Sequence, residues 1–254
     1  MSKKLILAEK PSVAQNIAHS LGAREKIYGS GNKNYCYANE EYYVVNAIGH
    51  LYGVGMPEDY GFKEWKLDTL PIFPDFKIFP TDKSKDGVRN LISELMNSPD
   101  VSEIICATDA DREGECIFRY VYNMARCRKP VKRLWVSSLE ESAIRKALTT
   151  MKPMSAYDNL FNAGYARAKA DWLVGMNGSR LFSVRYGGKL NIGRVQTPTL
   201  AMIVQRDAEV NGFVKQKYYT ADLNCGEFIL SSARIDDENT ADTLVYGCDG
   251  SKVT

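Results

Sequence analysis

The sequence is poor in several things. Histidine is scarce, with only His19 and His50 in 254 residues. The six cysteines (36, 106, 116, 127, 225 and 248) form no Cys-x-x-Cys pair, so no zinc site is expected. Scattered cysteines, with Cys106 inside an apolar run, point to free thiols in a reducing compartment. No apolar run is long enough to span a membrane and no leader peptide is legible, so a soluble cytoplasmic protein with no membrane partner is expected. Internal repeats and low-complexity tracts are missing. Net charge is nearly missing too, at +2. What is plentiful is core material: 44% of residues are hydrophobic, and the length allows two domains or one large one.

The small net charge hides an uneven distribution. Residues 156–217 hold nine Lys/Arg (167, 169, 180, 185, 189, 194, 206, 215 and 217) against four acids. Between Trp172 and Arg206 there is no acid. From Tyr218 onward the balance reverses, with seven acids against Arg234 and Lys252. A basic block of this kind is an electrostatic footprint for a polyanion such as nucleic acid. The bland alternative is a solvated face with a chance bias.

The most informative stretch is Asp109-Ala-Asp-Arg-Glu-Gly-Glu115. Before it, Ile104-Ile-Cys-Ala-Thr108 reads as a buried strand. After it, Ile117, Tyr120, Val121 and Met124 fall at helical spacing. Four acids thus sit at the C-terminal end of a strand and in the first turn of a helix, the edge where open α/β sheets bind ligands. If the stretch stays extended, Asp109 and Asp111 face one side together. Like charges that close call for a cation or a shared proton, and Mg²⁺ suits one or two carboxylates with waters left for a phosphate. An acidic first turn favoured by the helix dipole is the alternative.

The chain in order supports an α/β class. Lys4–Ala8 reads as a buried strand, and Pro11-Ser12 opens a helix through Val13, Ile17 and Leu21 that stops at Gly22. Glu9 and Lys10 therefore also lie at a strand's C-terminal end, either beside Asp109 or as a surface pair. Tyr42–Ile48 reads as another strand running into Gly49-His50. His50 there suits a phosphate contact, a proton relay or a structural hydrogen bond. Residues 52–80 form a long irregular segment whose aromatics either stack bases or, the favoured reading, pin the segment to the domain. A helix over 86–96, a strand over 131–136 and a helix over 140–148 continue the strand–helix alternation of a mainly parallel sheet. Then come a helical stretch over 157–181, a basic Gly-rich loop over 183–191 and a helix over 197–209. Arg194 and Gln196 sit at the start of that last helix, a good place to hold a phosphodiester. From Tyr218 an alternating pattern predicts a strand with one wet face, and the chain closes at Asp249–Thr254 without a complete β unit.

Five stretches together resemble the type IA DNA topoisomerases, closest to the topoisomerase III branch. They are Ala8-Glu-Lys-Pro-Ser12, Ile48-Gly-His-Leu51, Ala107-Thr-Asp-Ala-Asp-Arg-Glu-Gly-Glu115, Ala166-Arg-Ala-Lys-Ala-Asp171 and Gly193-Arg-Val-Gln196, in the family's order. The resemblance implies a Rossmann-like toprim metal-binding domain at 1–155, a helical DNA-binding domain at 156–216 and the beginning of a β-rich arch at 217–254. It implies that a tyrosine cleaves one DNA strand, a second strand passes, and the break is resealed, without ATP. Asp109, Asp111 and Glu113 look like the Mg²⁺ carboxylates. Glu9 looks like the acid near the leaving oxygen, itself close to the metal, and Lys10 like the cation that offsets phosphate charge. His50, Arg167, Asp171, Arg194, Gln196 and the loop residue Lys189 look like residues that position single-stranded DNA. The resemblance names no helicase partner, and places the protein with the nucleoid.

Two departures qualify it. None of the fifteen tyrosines sits in the family's Tyr-x-Arg-x-Asp setting; Lys217-Tyr-Tyr-Thr220 and Val184-Arg-Tyr-Gly187 do not fit. The expectation is an N-terminal part of a longer enzyme that does not cleave DNA by itself. Some relatives in the topoisomerase I branch carry basic and aromatic residues where this chain has Ala168, Trp172 and Met176, so a base preference resting there does not transfer. The alternatives are a non-cleaving module that binds single-stranded DNA and Mg²⁺, or another toprim enzyme such as a primase or nuclease.

Overall fold

The chain's apolar runs become the centre of one sheet. The computed structural model describes residues 2–29 and 33–248; the expected closing stretch 249–254 lies outside them. The elements are β1 (Lys3–Ala8), α1 (Pro11–Ser20), β2 (Glu25–Tyr28), β3 (Tyr35–Ala38), β4 (Tyr42–Asn46), β5 (Tyr52–Val54), β6 (Ile78–Pro80), α2 (Asp86–Asn97), β7 (Val101–Ala107), α3 (Arg112–Met124), β8 (Val131–Arg133), α4 (Glu141–Thr149), β9 (Lys152–Pro153), α5 (Asp158–Tyr186), α6 (Gln196–Asn211), β10 (Asp222–Asn224), β11 (Ile229–Ser231) and α7 (Glu238–Cys248). Seven strands form the main sheet in the order β2-β3-β4-β1-β7-β8-β9. The central four run parallel, and β2, β3 and β9 add antiparallel edges.

β1 is apolar from Leu5 to Ala8, where both its faces are covered. Leu5 and Leu7 pack on one side with Ile92, Ile104, Cys106 and Phe118. Ile6 and Ala8 pack on the other with Ala14, Ile17, Ile105 and Ile144. Leu5, Ile6 and Leu7 are fully buried, and each such side chain contributes roughly 1.5–3 kcal/mol. Cys106 is buried between the sheet and its helices, and burial pushes its thiol up to about 11. The punctuation of α1 is as expected: Pro11 fills its first turn, and Gly22 follows with φ of 71°.

The segment between β5 and β6 is pinned by its aromatics. Trp172 of α5 donates its indole N–H to the Gly55 carbonyl at 2.6 Å. Tyr60 and Phe76 meet the Trp172 ring edge-on. Arg180, fully buried, donates to the carbonyls of Phe62 and Glu64. Tyr60 and Phe76 thus take part in the loop's own packing, as the pinning reading expects.

Three expectations need correction. α5 does not stop at Leu181 but runs to Tyr186, since Ser183-Val-Arg-Tyr contains no breaker and Gly187 supplies the left-handed stop with φ of 69°. The edge strands β2 and β3 were not foreseen: Glu25-Lys-Ile-Tyr is exposed throughout with no apolar alternation, and Tyr35-Cys-Tyr-Ala is only four residues long, with Cys36 and Ala38 facing inward. The strand expected from Tyr218 is regular only over β10; the remainder is a bridge between Tyr219 and Ile235.

The chain divides into two compact units, with the boundary after Thr197. The second contains most of α6, the antiparallel hairpin β10–β11 and α7. Asp237 starts α7 by accepting from the Thr240 N–H at 2.8 Å, and Ala241 is its buried contact.

Candidate active site

The parallel register of β1 and β7 assembles the site. Ala8 pairs with Ala107, so both strands end together and the residues after them become neighbours. The Asp109 N–H donates to Glu9 Oε2 at 3.2 Å. The Lys10 ammonium donates to Asp109 Oδ2 at 2.7 Å and stands 4.0 Å from Glu9 Oε1. The Glu9 side chain is only 12% exposed. Burial holds its carboxyl above the ordinary value; the Asp109 N–H opposes that, and the Asp109 charge adds to it. The hydrogen bond to Asp109 raises the Lys10 ammonium.

The acidic stretch is a turn and not an extended run. β7 ends at Ala107, and the Asp111 N–H closes back on the Asp109 carbonyl at 2.8 Å. Asp111 is the N-cap of α3: its Oδ1 accepts from the Gly114 N–H at 2.7 Å. Alternation therefore does not set how Asp109 and Asp111 face; the cap and the Lys10 contact do. Asp111 uses one oxygen for the cap, as a helix-terminus role requires, and its second oxygen is not part of that bond. Gly114 is required, because a Cβ there would lie 2.2 Å from the Asp109 carbonyl oxygen. Glu113, half exposed, faces His50, whose Nε2 is 3.3 Å from Glu113 Oε1. The fourth acid, Glu115, turns inward and is 1% exposed.

A second cluster lies on α5 and the segment after it. Asp171 accepts from Arg194 Nε at 2.6 Å and lies 3.4 Å from Arg167 Nε. Gln196 begins α6, and Lys189 is exposed in the loop after Gly187. A cavity of about 190 Å³ is lined by His50 and Glu113 on the acidic side and by Gly164 and Ala168 of α5. α5 can approach that closely because position 164 has no side chain: a Cβ there would meet Cys116 Sγ at 2.6 Å and the Arg112 carbonyl at 2.7 Å.

The structure thus joins Glu9, Lys10 and Asp109 directly, Asp111 and Glu113 through the same turn, and His50 through Glu113. Arg167, Asp171 and Arg194 form their own group. Among the described residues no three acid, histidine or cysteine side chains already converge on a metal position. The donor set itself is all carboxylate oxygen, and each of Asp109, Asp111 and Glu113 has an oxygen beyond the one its contact uses. That chemistry fits Mg²⁺, which takes one or two carboxylates and retains waters.

Sequence reasoning missed the buried charges beneath the turn. Glu115 Oε1 accepts from Arg119 Nε at 2.9 Å, and Arg133 is buried beside it. One signal was present: Glu115 and Arg119 are spaced i, i+4 on a helix. Another was Arg133 itself, two residues after Val131 and so on the same buried face of β8.

Comparisons with known proteins follow the same outline. Residues 4–139 match the family model described as Toprim domain, and residues 155–254 match the one described as DNA topoisomerase. A DNA topoisomerase 3 of Bacillus cereus is 42% identical over 221 residues, covering 86% of this chain and 30% of that protein. Staphylococcus saprophyticus and Bacillus subtilis proteins of the same name are 41% and 40% identical. The chain spans roughly a third of the length of these curated relatives. Among solved structures, full-length topoisomerase I from Thermotoga maritima superposes with a TM-score of 0.62 at 23% identity, covering 94% of this chain and 37% of that one, a likeness of fold.

Proposed function

The chain belongs to the type IA DNA topoisomerases, with their Toprim domain at residues 4–139, and from that premise we propose that its acidic edge holds Mg²⁺ while α5 and the loop after it grip a single DNA strand. The observation that carries this reading is the meeting of Glu9, Lys10 and Asp109 where β1 and β7 end together. Asp109, Asp111 and Glu113 would hold the ion, with Glu9 beside them; when bound, the ion neutralises charge at the phosphodiester.

The side chains divide the remaining work. Glu9, whose burial favours the neutral acid, is suited to deliver a proton to a leaving 3′ oxygen. Lys10, anchored by Asp109, presents a cation to the reacting phosphate. Arg167 and Arg194 present guanidinium groups to the DNA backbone, with Asp171 between them fixing their orientation. His50, Gln196 and Lys189 add further polar contacts to the strand. In this reading residues 1–155 are the metal domain, 156–216 grip DNA and 217–254 begin the arch. The whole enzyme cleaves one strand, passes another and reseals the break, in association with the nucleoid. No helix among the described residues is long and apolar enough to cross a membrane.

The chain by itself binds without cleaving. The tyrosines lining the cavity beside Glu113, Tyr52 and Tyr120, are both held above the ordinary phenol range by burial, the opposite of an activated nucleophile. The test uses a labelled single-stranded oligonucleotide, this chain and Mg²⁺, divided between native and denaturing gels. A native shift without a covalent band is expected. A covalent band would place the nucleophile within this chain, and no shift would remove the DNA-gripping role from α5.

A further inference from the structure

Of the four acids in the motif, Glu115 alone is withdrawn from solvent, and what it meets is not a ligand position. Arg133 reaches from β8 over the end of β7. Its guanidinium donates to the carbonyls of Cys106 at 3.2 Å, Thr108 at 2.8 Å and Asp109 at 2.6 Å. Glu115 Oε2 lies 3.2 Å from Arg133 Nε, near enough for charge pairing although the two are not aligned for a hydrogen bond. Arg119 fixes the other oxygen of Glu115, and its remaining nitrogens donate to Asp158 at 2.7 Å and the Met154 carbonyl at 2.8 Å. From the opposite side Thr108 Oγ1 donates to the Gly114 carbonyl at 2.7 Å.

We propose that Arg133 and Glu115 are positioning residues: together they clamp the main chain from Cys106 to Asp109, so that the carboxylates leave the sheet in one fixed arrangement. The inference rests on the metal role proposed above for those carboxylates. A buried ion pair is weak evidence of stabilisation, since well-packed apolar residues often replace one without loss. Here the guanidinium spends its donors on main-chain carbonyls at the strand end and not on side chains. Of these, the Thr108 carbonyl lies past the end of β7 and depends on Arg133 most, since the Cys106 carbonyl also accepts from the Leu134 N–H and the Asp109 carbonyl from the Asp111 N–H, both at 2.8 Å; an apolar replacement would remove its donor. Glu115 supplies the counter-charge that keeps the guanidinium in place. Partners behind the ligands that fix their orientation are as much part of a metal site as the ligands.

The test compares the full chain with Arg133→Lys, Glu115→Gln and a core control, Ile144→Val, which lies on the other face of the sheet. Lysine keeps the charge but loses the planar fork, so that variant retains a readout if Glu115→Gln does not fold. Mg²⁺ is titrated calorimetrically, and amide exchange over 109–114 is followed in metal-free protein. Arg133→Lys should weaken Mg²⁺ binding about tenfold or more and speed exchange over the turn. Ile144→Val should lower the melting temperature and alter neither. Unchanged affinity and exchange in Arg133→Lys would overturn the clamp, as would equal effects in the control. Failure of the unaltered chain to bind Mg²⁺ would overturn the metal role instead, with exchange over the turn still deciding the clamp.

Discussion

The Lys10 ammonium donates to Asp109 Oδ2 at 2.7 Å, across 99 positions of sequence. The contact exists because β1 and β7 are parallel neighbours that end in register. It also makes the two groups rivals: a cation at Asp109 must share that carboxylate with the ammonium or displace it. The Lys10 side chain is about half exposed, so it is free to swing toward a phosphate.

Removing the ammonium should therefore free Asp109 for metal. Lys10→Met is expected to tighten Mg²⁺ binding by the chain about two- to fivefold, in line with the modest worth of an exposed ion pair. In the whole enzyme the same change should slow strand cleavage. Calorimetric titration checks the first part, and weaker binding would mean that Lys10 helps to build the metal position.

Glu9 gives a pH dependence with a definite sign. Burial raises its folded-state pKa above the ordinary value of 4.5, so the folded chain holds a proton that the unfolded chain has released. Stability from this group is present below the ordinary pKa and is lost as pH rises from there through the raised folded value. Glu9→Gln should flatten that part of the stability–pH curve. Denaturant melts in metal-free buffer across the acid range measure it, and an unchanged slope would remove Glu9 as its source.

Arg194 presents a cation beside Asp171. Arg194→Ala should weaken single-stranded DNA binding and reduce the salt slope of log K by about 0.7, the value for one phosphate contact on a single strand. Fluorescence anisotropy at several salt concentrations reads this directly. A lower affinity with an unchanged slope would assign Arg194 to holding Asp171 and Arg167 alone.

Gly114→Ala should dismantle the acidic turn. The added Cβ would lie 2.2 Å from a backbone oxygen, which cannot yield as a flexible side chain can. We expect a loss of about 1–3 kcal/mol of stability together with weaker Mg²⁺ binding. Thermal melts and metal titration of the same sample test both; full retention of metal affinity would show that the turn tolerates remodelling.

How much of this was legible depended on whether local pattern or distant contact decided the outcome. β1 and β7 could be read because the stretches covered on both faces, Leu5–Ala8 and Ile104–Ala107, must be apolar. α1 could be read from Pro11 and Gly22, whose backbone restrictions act locally. The edge strand β2 could not, since its residues are held by hydrogen bonds to β3 and not by burial. The acids after Ala107 were recognised by residue type, but their directions were not: a turn closed by Asp111 and a helix cap at Gly114 replaced the extended geometry. Glu115 resembles its three neighbours in sequence, and only Arg119 and Arg133 show that it belongs to the interior. The meeting of Glu9 with Asp109 needed the strand order, which a single sequence does not contain.

Gly164 sets a limit of a different kind. It lies on one stripe of α5 with Arg167, Ala168 and Asp171, at helical spacings of three, four and seven, and it rests on the backbone of α3 at Arg112. The gap between the two helices is therefore at its minimum, since no residue is smaller than glycine. Substitution at this point can lengthen the reach from the arginines to the carboxylates but cannot shorten it. If DNA bridges the two clusters as proposed, the span it covers has a floor set by main-chain contact, and a side chain added at position 164 could only raise it.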